Sequence, residues 1–398
     1  ADADGYILTV GTTSGGNDII DNEDVGNFTT YDFLTDLPEN TEIFITIIPY
    51  NSAGNATSCT EESFTTETLI AALPFITTWE TTTANQTITI PTRTSAFTYD
   101  YSIDWGDGAT DTNITGNITH TFTTAGIHTI EISGTFPQIH FNGNAVDRDK
   151  ILTIEQWGDI EWQALTQAFK GCSNLTITNP SIDVPNLSNV TNMSETFRDA
   201  TLFNGDITAW DVSTVTNMFR LFNGAENFNQ DIGNWDVSNV VTMTRMFESA
   251  RAFNQDIGNW NTQNVTSMAI MFAIATDFNQ DIGNWDVSSV MLMNSMFGSA
   301  KAFNQDIGNW DVSSVTDMGR YLFSGPFIYI GGMFENATSF DQNLENWDVS
   351  SLTEADFMFS GAKLSIPNYD ALLIGWNAQG LQSGVEFHGG NSIYCAGD

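Results

Sequence analysis

The eleven residues FNQDIGNWDVS at 228–238 return letter for letter at 278–288 and 303–313, and with three letters changed at 253–263. This repeat constrains the fold more than any bulk property, because a unit so short cannot bury its apolar side alone and must stack on copies of itself. Trp210, Trp235, Trp260, Trp285 and Trp310 recur every 25 residues, and Trp347 follows after 37. A phenylalanine column tracks them: Phe169, Phe197, Phe222, Phe247, Phe272, Phe297, Phe334 and Phe359. One twelve-residue insertion, YLFSGPFIYIGG at 321–332, accounts for the long interval.

Each period divides into two parts. In IGNWDVSNV at 232–240 the spacing of Ile232, Trp235 and Val237 is that of a leucine-rich repeat. It predicts a short strand with Trp235 and Val237 inward and Asn234, Asp236 and Ser238 outward. In the following NVVTMTRMFESA, Val240, Met243, Phe247 and Ala250 lie three and four apart, which predicts a turn or two of amphipathic helix. Stacking then sets equivalent side chains about 4.8 Å apart. Asn229, Asn254, Asn279 and Asn304 are expected to form one amide ladder, and Gln230, Gln255, Gln280, Gln305 and Gln342 another.

The aspartates are harder to place. Asp206, Asp231, Asp256, Asp281 and Asp306 form a column expected to be tied to backbone N–H groups at a turn. Asp211, Asp236, Asp286, Asp311 and Asp348 form another on the predicted strand face, interrupted by Asn261. Two unit charges about 5 Å apart repel by about 1 kcal/mol in water and about 3 kcal/mol at an effective dielectric of 20, so stacking them requires compensation. Three readings stay open: backbone-bonded or solvated carboxylates, a face that binds protein or glycan, and Ca²⁺ coordination. The candidate contact residues are Asn234, Asp236, Ser238, Asn259, Asn261, Asn284, Asp286, Ser288, Asn309, Asp311, Ser313, Asp211 and Asp348. An acidic loop with Asp18, Asp21, Glu23 and Asp24 is a second candidate for Ca²⁺, without the order of an EF-hand.

The wording MF..A..FNQDI.NWDVS.VT.M resembles the BspA-like bacterial surface repeat, a variant leucine-rich family of cell envelopes. Upstream, YDYSIDWGDG and THTFTTAGIHTIEISG resemble a PKD-type β-sandwich, with the W-G-D-G signature on Trp105, Gly106, Asp107 and Gly108. DLPENTEIFITIIPYNSAG resembles a fibronectin type III domain through Leu37, Thr41, Ile43, Ile45, Ile47, Asn51 and Gly54, entered partway through that domain's pattern. The expected architecture is therefore multidomain: two all-β Ig-like sandwiches, then a leucine-rich-repeat-like α/β solenoid of about seven to eight 25-residue coils. Boundaries are expected at 1–70 for the partial fibronectin-like domain, 71–150 for the PKD-like sandwich, 151–365 for the solenoid and 366–398 for a cap.

Eleven basic residues stand against forty-nine acidic ones, a formal net charge of −38. Such a field repels nucleic acid and anionic membrane and favours solubility in a salty medium. No apolar run approaches the roughly 18–20 residues of a membrane helix. The three cysteines, Cys59, Cys172 and Cys395, lack metal-ligand spacing. Cys59 and Cys395 are candidates for a disulfide to another chain or to sequence beyond this segment. No phosphate-binding, nucleophile-elbow or zinc-protease motif occurs, and columns of identical acids offer no asymmetric pocket, so an enzyme is not expected. The resemblances imply a secreted cell-surface adhesion protein that binds protein or glycan. The alternative is a filament subunit that self-assembles through its incomplete N-terminal β domain.

Overall fold

The computed structural model describes residues 3–28, 30–31, 33, 37–57, 59–66, 72–142, 146–178, 183–319, 321–322 and 329–395. The chain divides into two compact units, 1–71 and 72–398. Unit one is an antiparallel sheet of β1 (Gly5–Gly11), β2 (Ile20–Gly26), β3 (Glu42–Asn51), β4 (Gly54–Asn55) and β5 (Glu61–Thr65). Strand β3 pairs with β1, β4 and β5, and β2 lies on the outer side of β1. Alternation along β1 and β3 buries Leu8, Val10 and Ile43 with Ile20, whereas Ile47 of the fibronectin-like stretch is 51% exposed.

Unit two begins with β6 (Phe75–Thr81), β7 (Gln86–Ile90), β8 (Asp100–Asp104), β9 (Thr110–Ile114), β10 (Ile118–Phe122) and β11 (Gly126–Thr135). Strands β12 (Ile151–Gln156) and β13 (Thr176–Ile177) extend the sheet to the order β13-β12-β6-β11-β8-β9, and β10 pairs with β7 beside it. Trp105 is fully buried and its indole N–H donates to Asp111 at 2.9 Å. Gly106 has φ +74°, and a Cβ there would lie 2.3 Å from the Thr129 carbonyl oxygen, so this turn of the W-G-D-G stretch requires glycine. The histidines here serve structure: His120 stacks on Trp105 at 4.8 Å and pairs with Asp107, and His128 meets the Thr81 hydroxyl at 2.8 Å.

The apolar core runs without interruption from this sheet into the repeats. Phe75 of β6 packs on Trp157 and Trp162, and Trp157 meets Trp210 at 5.3 Å. Beyond it, Phe rings stack coil on coil: Phe222–Phe247 at 5.6 Å, Phe247–Phe272 at 5.5 Å and Phe272–Phe297 at 5.8 Å, all nearly parallel. A second column, Phe228, Phe253, Phe278 and Phe303, interleaves with the first at about 4 Å. Trp260 and Trp285 are stacked at 6.2 Å.

The expected α/β solenoid does not form. Between residues 183 and 319 no coil contains a helix or an extended strand; each is a run of tight turns with one parallel bridge to its neighbour. The bridge positions are Asn192, Asn217, Thr242, Ser267, Leu292, Asp317 and Glu354, not the predicted strand around Trp235. The reason lies in the backbone. Arg245 and Ser249, inside the segment expected to be helical, both have φ 61°, and equivalent positions do the same, including Glu195/Asp199 and Ile270/Ile274. A left-handed residue every four positions ends any α-helix. The N–H groups of Met243, Arg245, Phe247 and Ser249 instead donate to Ser267, Ala269, Met271 and Ala273 of the next coil at 2.7–3.1 Å. The intervening N–H groups of Met246, Glu248 and Ala250 close turns onto the carbonyls three residues back. Spacings of three and four thus arise from paired turns as readily as from a helix.

The one α-helix among the described residues is α1 (Ile366–Asn377), which starts with Pro367 in its first turn. Its Trp376 is buried and donates to the Leu344 carbonyl at 3.0 Å, so the tryptophan column ends on a helix. The insertion lies partly outside the described residues; its ends form a short pair, β14 (Tyr321–Leu322) with β15 (Tyr329–Ile330).

Candidate interaction faces of the coil stack

The residues FNQDIGNWDVS can be assigned one by one. Asn254 accepts on Oδ1 from the Asn279 backbone N–H at 2.9 Å, and Asn204, Asn229, Asn279 and Asn304 do the same for the coil after each. The glutamines form no ladder of their own: Gln255, Gln280 and Gln305 donate to the backbone and side-chain oxygens of the preceding asparagine. Asp231, Asp256, Asp281 and Asp306 each accept the N–H two residues on, at 2.9–3.0 Å, closing the turn at the following glycine. Trp235, Trp260, Trp285, Trp310 and Trp347 donate from Nε1 to carbonyls of the preceding coil at 2.9–3.2 Å. Spacing alone gave no sign of this indole strut.

The outward column is built the same way. Asp211, Asp236, Asp286, Asp311 and Asp348 accept on Oδ1 from the N–H of Ser213, Ser238, Ser288, Ser313 and Ser350 at 3.0–3.1 Å. The Ser288 and Ser313 hydroxyls add bonds of 2.6 Å to the same oxygens. Bonding to the serine side chain and backbone holds Asp211, Asp236, Asp286 and Asp348 below the usual carboxylate range, against the repulsion of Asp211 on Asp236. Backbone donors therefore supply the compensation that stacked charges demand. Asn261 holds the same turn, accepting from Gln263 at 3.3 Å. Asn234, Asn259, Asn284 and Asn309 are exposed beside this column, as are all these aspartates and Asn261.

The acidic stretch of unit one is likewise committed internally. Asp21 accepts from Asn17 and Asn22, Glu23 from the Tyr31 hydroxyl, and Asp24 from the Tyr50 hydroxyl and Gly26 N–H. Asp18 clamps Thr12 through backbone and hydroxyl. Among the described residues no three His, Cys, Asp or Glu side chains are grouped to hold a metal ion. Cys59 is half-buried and Cys395 exposed, both as free thiols, while Cys172 is sealed in the core.

Sequence periodicity missed a second column, buried or half-buried, two residues before each core phenylalanine, because its letters change from coil to coil. It reads Gln167, Glu195, Arg220, Arg245, Ile270 and Ser295. Glu195 is 9% exposed, with Lys170 at 2.6 Å, Arg198 at 3.2 Å and Arg220 at 3.6 Å. Burial would raise its pKa, but bonds from Lys170 and Gln167 and the charge of Arg198 hold it down to about 2. One coil beyond Arg220, Arg245 pairs with Glu248 at 2.9 Å.

A carboxylate with the opposite shift sits in the bridge column. Burial, with Glu354 and Asp356 nearby, raises Asp317 to about 6 despite the Gly319 N–H on its Oδ1. Asn192 and Asn217 fill the same place in earlier coils and make the same bond, at 2.9 Å. A raised carboxylate contributes most below its unfolded value near 4 and loses that contribution as pH climbs through 6. Asp317→Asn is therefore expected to stabilise at pH 7.5 by on the order of 1 kcal/mol, after discounting for partial exposure, and by less at pH 4. Thermal melts of both proteins across that range check it; a pH-independent difference contradicts it.

These coils define a linear repeat protein, stacked through backbone ladders and aromatic columns. A family model described as "Mycoplasma protein of unknown function, DUF285" matches residues 163–273 and again 255–372, together a little over half the chain, and the chain belongs to that family. No curated protein and no solved structure matches it. Among the described residues no helix is long and apolar enough to cross a membrane.

Proposed function

We propose that this repeat protein acts outside the cell as a surface interaction module, presenting the Asn–x–Asp–x–Ser face of its coils to a protein or glycan. The observation that carries the reading is the column Asn234, Asn259, Asn284 and Asn309. These side chains are exposed and make no hydrogen bond among the described residues, yet the same amide precedes Trp235, Trp260, Trp285, Trp310 and Trp347, with Ala209 in its place only before Trp210. Identical groups on successive coils suit a ligand with repeating units, where each weak contact raises the effective concentration of the next. The acidic surface fits an extracellular setting, and the reading includes no catalysis and no nucleic-acid or membrane partner.

Replacing those four asparagines together by serine is expected to abolish adhesion to immobilised matrix proteins or glycans while leaving the melting temperature within about 2 °C, as surface substitutions do. Unchanged adhesion removes the reading. Self-assembly through unit one is the second reading, favoured by Phe28, Ile47 and Phe64, which are 75%, 51% and 45% exposed. Sedimentation of the full chain at rising concentration decides between them: a monomer throughout eliminates assembly.

A further inference from the structure

The Arg220 station differs from the rest of this acidic molecule. Three cations, Lys170, Arg198 and Arg220, surround the Glu195 carboxylate, and the second acid, Asp199, lies 3.3 Å from Arg198. Counting these five side chains leaves one positive charge uncompensated in a chain of net charge −38. Arg220 holds the longest of the three contacts to the Glu195 carboxylate. Glu195 already bonds Lys170 and Arg198 and stays 3.6 Å from Arg220, and the Arg220 Nε is buried with no hydrogen-bond partner. Arg245, one coil on, is satisfied by Glu248 and offers no relief. Burial and the charges of Arg245 and Arg198 lower the Arg220 pKa. Its guanidinium lies over the ring of half-exposed Phe219, 4.9 Å from the centroid.

We propose that Arg220, with Phe219 beside it and the half-buried Ser194 one coil before, binds the single carboxylate of an acidic sugar. The guanidinium presents a planar fork that matches a carboxylate in bidentate fashion. The phenyl edge offers an apolar surface to a sugar ring, and Ser194 supplies a hydroxyl at the equivalent position of its coil. A polyanion is excluded, because the surrounding acidic field repels charges spread beyond the roughly 8 Å screening length. A ligand with one charge delivered at this station meets local attraction instead.

The inference deepens the interaction reading by naming a ligand class, on a different arc of the coil from the asparagine face. Calorimetric titration of the full chain with 3′-sialyllactose, which carries one carboxylate, is expected to show binding, and lactose none. Arg220→Gln is expected to weaken binding roughly tenfold or more, the loss of one bidentate contact, and Arg220→Lys to weaken it less. Arg251→Gln, at an arginine whose side chain is 52% exposed, leaves it unchanged. No binding by the native chain, equal binding of lactose, or full binding by a folded Arg220→Gln overturns the proposal. An Arg220-dependent response to acetyl-triglycine without one to sialyllactose overturns the sugar assignment. Adhesion lost on the asparagine substitutions but untouched by Arg220→Gln sinks this site alone.

Discussion

Trp260→Ala is expected to destabilise the coil stack by about 4 kcal/mol, the largest single loss foreseen. Trp260 is 4% exposed, stacks on Trp285 and donates to the Ile232 carbonyl at 3.0 Å. Alanine opens a cavity the size of an indole and removes one of two bonds to that carbonyl, which keeps the Trp235 N–H at 3.1 Å, so the loss is mainly that of transfer and cavity. Stability in a linear array is a sum of coil terms and interface terms. Damage at a central interface should therefore split unfolding into two transitions, whereas the same change at Trp376, in the terminal helix, should lower one. Calorimetry distinguishes these outcomes. A single transition of native midpoint for Trp260→Ala would show that the indole column carries little of the stack.

Glu195→Gln is expected to cost about 2–3 kcal/mol at pH 7. Removing one partner of a buried ion pair strands the other, and here three cations lose their shared anion. The figure is set below the full range because Lys170 and Arg198 keep part of their side chains in solvent. The pH dependence identifies the mechanism. A depressed carboxylate contributes fully above its unfolded value near 4.5 and loses that contribution as pH falls through about 2. The gap between native and variant chains should be constant from pH 6 to 8 and narrow steadily below 4.5. A gap that persists at pH 2 would assign the loss to packing instead of charge.

Both residues show what could be read from the letters and what could not. The tryptophan and phenylalanine columns were legible, because apolar side chains at a fixed interval have no other way to be buried together. The asparagine ladder was legible too, as were the backbone-tied turns of the Asp231 column, whereas the Asp236 column was expected on a strand face and closes turns instead. The helix was misread: Val240, Met243, Phe247 and Ala250 carry helical spacing, but left-handed Arg245 and Ser249 divert alternate N–H groups to the next coil. Nothing in an arginine or a serine announces positive φ, although glycine takes that place at Gly171, Gly224 and Gly361. The Glu195–Arg220 column escaped notice because periodic reading rewards sameness and this column varies. Its partners are identified by geometry alone.

The twelve-residue insertion follows soon after Met318. The Met333 N–H donates to the Met318 carbonyl at 2.9 Å, so the stack resumes there directly in register. Across the gap the ladder closes as if nothing intervened: Asp317 bridges Glu354, and Phe334 stacks on Phe297 at 5.7 Å. The two sides of the break are thus clasped by the backbone itself, and the ordering cost of a longer tether grows only with the logarithm of its length. This gives the molecule a docking port for grafted sequence, where a peptide or a whole module can be spliced in while every rung on either side stays in place.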